Sequence, residues 1–220
     1  MFYFCCTILT YMKKLILLFL FTGSSVFAQI NKSVIFGDDL VWYGIDYSKA
    51  KFIGDFQPEQ LKSTMYAWNI VVVNEANKYD VAKFFQKKNV FNDLASVLKH
   101  NKEIDEAQMI GINQYKFDNA DETVASIISS YTGGEKAEGL GLVFIVESYN
   151  KPKTQAAYYL TFFDIKTKEI IYSEKITEGP PSGFGLRNYW ASTIFKVMKD
   201  VEQYKYASWK FKFSKENKPN

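Results

Sequence analysis

The sequence predicts an α+β domain: a single, largely antiparallel sheet with a three-stranded C-terminal meander and helices packed mainly on one face. Three observations carry that expectation. Three strand-like runs, Leu140–Tyr149, Gln155–Ile165 and Lys168–Ile176, follow one another across connections short enough for hairpins. Amphipathic stretches flank them, the last with Trp190, Ile194, Val197 and Val201 at helical spacing. No repeat with a period of roughly 20 to 50 residues is present, and no Pro/Ser-rich linker divides the chain, so residues 29–206 are expected to form one domain.

The first 28 residues read as an export signal. Lys13 and Lys14 supply the charged segment, Leu15 to Phe21 the apolar core, and Val26-Phe27-Ala28 the cleavage tripeptide. Met12 is the expected start, with Met1 to Tyr11 an upstream extension; a retained membrane anchor is the alternative. The two lysines split the apolar run, and neither half approaches the roughly 20 residues that span a bilayer. Cys5 and Cys6 both fall in the removed segment, so the mature chain is expected to have no disulfide, thiol nucleophile or thiolate metal site. Gln29 stands where a lipid-bearing cysteine would. Export is expected, to the periplasm or beyond the cell.

Along the body, Asp39–Gly54 reads as two strand-like pieces, "LVWYGI" and "KAKFI", joined around Asp46-Tyr47-Ser48 as an opening strand or hairpin. Pro58 suits a first helical turn, and Leu61, Met65, Trp68, Val72 and Ala76 share one face of a helix reaching Asn77, although "NIVVVNE" inside it would suit a strand equally. Asp80 suits the cap of a second helix through Val81, Phe84 and Phe85. Asn89–Gly111 mixes strand and helix signals. Asp121-Glu122 opens a helix through Val124, Ile127, Ile128 and Tyr131 that stops at Gly133-Gly134. The near-continuous "LGLVFIV" predicts a strand covered on both faces, and a final helix is expected over Arg187–Tyr206. Residues 207–220, with "WKFKF", read as a basic edge strand or tail.

Charge and inventory exclude several functions. The formal charge of +3 falls to about +1 without Lys13 and Lys14, and the remaining charges are interspersed, which argues against nucleic-acid binding. Lys205, Lys210, Lys212, Lys215 and Lys218 could touch an anionic surface peripherally, against the simpler reading of a solvated tail. His100 is the one histidine and sits in "LKHNKE", which reads as an exposed helix end or turn. One histidine without a mature cysteine argues against zinc, and neither metal nor cofactor is expected. Asp118, Asn119, Asp121 and Glu122 lack the order of a calcium loop and suit helix capping. Asp38, Asp39 and Asp46 could pair with Glu147 or Asp164 as acid and base only if the fold brings two of them to one cleft. Roughly 31 aromatic residues follow the signal; core packing is the default, with a solvent-facing row for sugar stacking or a partner as the alternative.

The stretch "TEGPPSGFGLRNYW", Thr177–Trp190, combines three glycines, two prolines and the sole arginine. Ser182, Gly183, Gly185 and Arg187 at a helix start would suit an anion, yet the spacing fits neither a P-loop nor a dinucleotide fingerprint. A wide strand-to-helix connection is the simpler reading. A partner-docking loop using Phe184, Arg187 and Tyr189 fits the same geometry.

The run "AYYLTFFDIKTKEIIYSEKITEGPPSGFGLRNYWASTIFKVMKDV" has a strand ending in Asp164, a turn, a strand with Tyr172, a Gly-containing loop and a Trp-bearing helix. It resembles small bacterial envelope α/β domains: the amino-terminal domain of the Tol-system propeller protein, the periplasmic part of the curli secretion channel and the outer-membrane activators of peptidoglycan synthases. The resemblance implies a non-enzymatic domain that docks to envelope partners, with no catalytic set to transfer. The expected function is therefore an exported domain that binds an envelope protein or a second copy of itself. A small-ligand or glycan-binding module and a carboxylate-dependent hydrolase are the alternatives.

Overall fold

Strand direction in this chain is decided by what lies between the strands. The computed structural model describes residues 30–216. Within them lie β1 (Asp39–Asp46), β2 (Lys51–Ile53), β3 (Asn89–Asn92), β4 (Ile110–Gly111), β5 (Leu140–Asn150), β6 (Gln155–Asp164) and β7 (Ile170–Glu178). Helix α1 (Leu61–Asn74) and the short α2 (Val81–Phe84) separate β2 from β3. Helix α3 (Ala95–Lys102) and the short α4 (Glu106–Met109) separate β3 from β4, and α5 (Ala120–Ser129) precedes β5. After β7 come α6 (Gly185–Asp200), a π-helical turn (Val201–Lys205) and α7 (Tyr206–Glu216). The expected signal, residues 1–28, lies outside the described residues.

A helical crossover returns the chain to start its next strand in the same direction, whereas a tight turn reverses it. Accordingly β1 pairs in parallel with β3 and β5, and β2 in parallel with β4 and β5. Only the β5–β6–β7 meander is antiparallel. Four of the six pairings among the described residues are thus parallel, which overturns the expectation of a largely antiparallel sheet. The parallel partners β3 and β4 are four and two residues long, too short for a period-2 pattern to register. Nor do β1 and β2 form a hairpin. They run in one direction along successive halves of β5, Val41 opposite Gly141 and Lys51 opposite Ser148, with Tyr47–Ala50 as a jog between them.

Helices cover both faces of the sheet, which corrects the expectation of helices packed mainly on one face. On the first face, Trp42, Phe144, Tyr158 and Phe162 pack with Trp68, Phe84, Trp190 and Trp209 from α1, α2, α6 and α7. On the second face, Val41, Tyr43, Val143, Ile145 and Phe163 pack with Val97 of α3 and with Val124, Ile127 and Ile128 of α5. Strand β5 alternates between the two cores, which accounts for its continuous apolar run.

A bulge positions the end of β1. The register slips between Trp42 and Gly44, whose φ of 95° suits glycine. Strand β3 ends opposite Trp42, so the backbone of Ile45 and Tyr47 has no strand on that side. Two buried amides take its place. Asn69 of α1 accepts from Ile45 N–H at 2.7 Å and donates to its carbonyl at 2.9 Å. Asn101 of α3 accepts from Tyr47 N–H at 2.7 Å and donates to the same Ile45 carbonyl at 2.9 Å. These bonds satisfy buried backbone groups that would otherwise cost about 1–3 kcal/mol each, and they hold Asp46 toward the second face.

The C-terminal segment is helical, not an edge strand. The apolar stripe of α6 runs through Trp190, Ile194, Val197 and Val201, then resumes at Tyr206, Trp209 and Phe213. One step of five interrupts steps of three and four, and the π turn falls on it. The wider turn absorbs the extra residue and returns Trp209 and Phe213 to the core.

Candidate functional site

The loop before α6 and the carboxyl end of β1 each combine exposure or concavity with placed side chains.

The loop places its predicted residues unequally. Gly183 and Gly185 adopt φ of 111° and 74°, and Phe184 between them is 97% exposed. The loop's base is anchored: Ser182 N–H donates to Ser192 Oγ at 2.8 Å, and Lys196 Nζ donates to the Pro180 carbonyl at 2.6 Å. Arg187 turns its guanidinium to Glu75 Oε1 at 3.3 Å, while its carbonyl accepts from Trp68 Nε1 at 2.8 Å. Tyr189 stands edge-on to Trp190 at 5.4 Å. The six residues therefore do not converge on one ligand. Arg187 faces a carboxylate, which weakens the anion reading, and of the six Phe184 is the large apolar side chain left in solvent.

At the end of β1 the structure places together residues far apart in sequence. Asp46 is fully buried. It accepts from Ser48 N–H at 2.8 Å and from Tyr131 OH at 2.9 Å. His100, in the last turn of α3, lies with Nδ1 3.1 Å from Asp46 Oδ2 and Nε2 3.3 Å from Ser130 Oγ. Ser130 follows the last residue of α5, and its hydroxyl donates to the Ile127 carbonyl at 2.6 Å. The imidazole side chain is 15% exposed, which corrects the expectation of a surface histidine: α3 packs against β1 and turns the ring inward. The hydrogen bond to Asp46 raises its pKa above the usual imidazole value, outweighing the opposing effect of burial. His100 and Ser130 open on a pocket of about 350 Å³ that Ser48, Lys49, Glu103, Ile104, Ser126 and Ile127 also line. The buried Ser48 hydroxyl has no hydrogen-bond partner among the described residues.

The other carboxylates go separate ways. Glu147, also buried, accepts from Phe117 N–H at 3.0 Å and pairs with Lys175. Asp164 accepts from Thr167 N–H at 2.7 Å in the β6–β7 turn. Asp38 pairs with Lys88, and Asp39 accepts from Asn89 Nδ2. No carboxylate pair of the kind a two-acid hydrolase needs is assembled by these contacts. Asn119 caps α5, with Asp121 and Glu122 in its first turn, as expected from the sequence. Among the described residues no group of three His, Cys, Asp or Glu side chains could hold a metal ion.

Sequence reasoning missed the Asp46–His100–Ser130 arrangement. Its members are separated by 54 and 30 residues, so no local spacing joins them. The available signal was that the sole histidine would have to serve any such set. Compared with known protein families, characterised proteins and solved structures, the chain matches none.

Proposed function

We propose that the protein is an exported domain that binds an envelope protein through the loop centred on Phe184. One observation carries this reading: a large aromatic side chain, 97% exposed, sits on a loop whose base is held by hydrogen bonds. An apolar group in water is costly and gains by burial. Held in place beforehand, it loses little freedom on docking. Burial of a phenylalanine contributes about 1.5–3 kcal/mol, which is roughly tenfold to a hundredfold in Kd. The export half of the proposal rests on the N-terminal signal pattern, and among the described residues no helix is long and apolar enough to cross a membrane. Exposed Lys210, Lys212 and Lys215 on α7 support a peripheral contact with an anionic surface. The glycan reading loses one of its two motives, because the sheet's aromatic residues are largely consumed by the two cores.

The test is a photo-reactive residue at position 184 in the native cell, with the adduct identified by mass spectrometry. A discrete adduct to an envelope protein, with affinity of the purified pair falling tenfold to a hundredfold in Phe184→Ala, is expected. An adduct between two copies would assign the loop to self-assembly. No adduct from a folded, intact probe protein would return the loop to a plain connection.

A further inference from the structure

The carboxyl ends of parallel strands are where open α/β sheets place ligands, because the helices that follow leave a crevice there. Asp46 ends β1, and the pocket beside it holds the chain's only histidine between a buried carboxylate and a serine hydroxyl. We propose that Ser130, His100 and Asp46 form a nucleophile, general base and orienting acid that hydrolyse a small carboxylic ester in this pocket, an activity separate from docking at Phe184.

Each part has a physical role. Asp46, held by Ser48 N–H and Tyr131 OH, keeps the Nδ1 proton of His100 and leaves the Nε2 lone pair toward Ser130. Rotation about the Ser130 Cβ–Oγ bond swings its hydrogen from the Ile127 carbonyl to Nε2 without moving a heavy atom. In the first step the Oγ–acyl carbon bond forms as the hydroxyl proton passes to Nε2. The tetrahedral adduct then expels the alkoxide, which leaves as an alcohol with that proton. In the second step water adds to the acyl carbon and gives its proton to Nε2. The Oγ–acyl bond breaks, the proton returns to Oγ, and the carboxylic acid is released. The imidazolium formed in each half is stabilised by Asp46 and by the negative ends of α3 and α5, where His100 and Ser130 sit. Lys49 on the pocket wall supplies positive charge for the oxyanion, and Ile104 and Ile127 take the acyl chain.

The experiment treats the full chain, shown folded by NMR, with a fluorophosphonate and with p-nitrophenyl acetate, and locates any adduct by mass spectrometry. Labelling at Ser130 is expected, lost in Ser130→Ala and slowed on the order of 10²- to 10⁴-fold in His100→Gln. Its rate should rise with pH along the His100 titration followed by NMR. Asp46→Asn, which keeps the shape, gives a second variant that should slow labelling if His100→Gln fails to fold. No adduct on Ser130, or labelling at an unchanged rate without His100, would overturn the proposal and leave the three residues as a structural clamp.

Discussion

His100 joins three elements, and its protonation state sets how strongly it does so. The ring bonds Asp46 at the end of β1 and approaches Ser130 and Tyr131 after α5, with their rings 5.1 Å apart in the latter case. Glu103 and Lys49 are the other charged groups of the pocket. Because Asp46 raises its folded pKa above the unfolded value of 6.5, the folded state holds the proton more tightly. That stabilisation is whole below pH 6.5 and is lost as pH rises through the folded value. The stability difference between the natural protein and His100→Gln, from urea unfolding, should therefore be largest in mild acid and shrink on the alkaline side. A difference that grows with pH would show that the ring is held neutral. The same residue scale contains the Asn69 and Asn101 clamps, whose polar character gave no hint of burial: each is an ordinary asparagine inside a helical stretch until the end of β3 exposes the backbone it serves.

At the scale of an element, the segment Gly185–Glu216 carries a testable phase error. The buried stripe steps by four, three and four to Val201, by five to Tyr206, then by three and four to Phe213. Deleting the exposed Gln203 converts the five to a four, so an ordinary α-helix would present the same side chains to the sheet. This variant should keep its Tm within about 3 °C if roughly 1 kcal/mol or less is at stake. Deleting Ser208 instead turns Trp209 and Phe213 off the core, a loss of about 1.5–3 kcal/mol for each side chain. Its Tm should fall by roughly 10 °C or more. Differential scanning calorimetry of the two deletions decides the matter, and equal destabilisation would mean that the π turn does not act as a phase correction.

For the whole molecule, the sheet is a shared wall between two cores, and β1, β5 and β6 each feed both. Neither core can be dismantled without freeing strands that the other needs, so one cooperative transition is expected for residues 31–216. The chain carries separate reporters for the test. Trp42, Trp68, Trp190 and Trp209 all lie in the first core, and His100 marks the helices of the second. Tryptophan fluorescence and the His100 NMR signal should lose their native values at the same urea concentration. Separated midpoints would mean that α3 and α5 open on their own.

What the sequence determined was local. Periodicity placed α1, α5 and α6, hairpin-length connections placed the β5–β6–β7 meander, Asp80 announced its cap, and the group Asp118, Asn119, Asp121 and Glu122 announced a helix start, because each depends on residues a few positions apart. Only the tertiary structure decided the parallel pairings, since β3 and β4 carry too few residues to declare themselves and a crossover's direction lies in packing. The same holds for Asp46, His100 and Ser130, brought from three separate elements to one pocket. Side-chain chemistry is written in the chain, but its concentration at a point depends on closing loops of tens of residues, and burial in the two cores is what closes them.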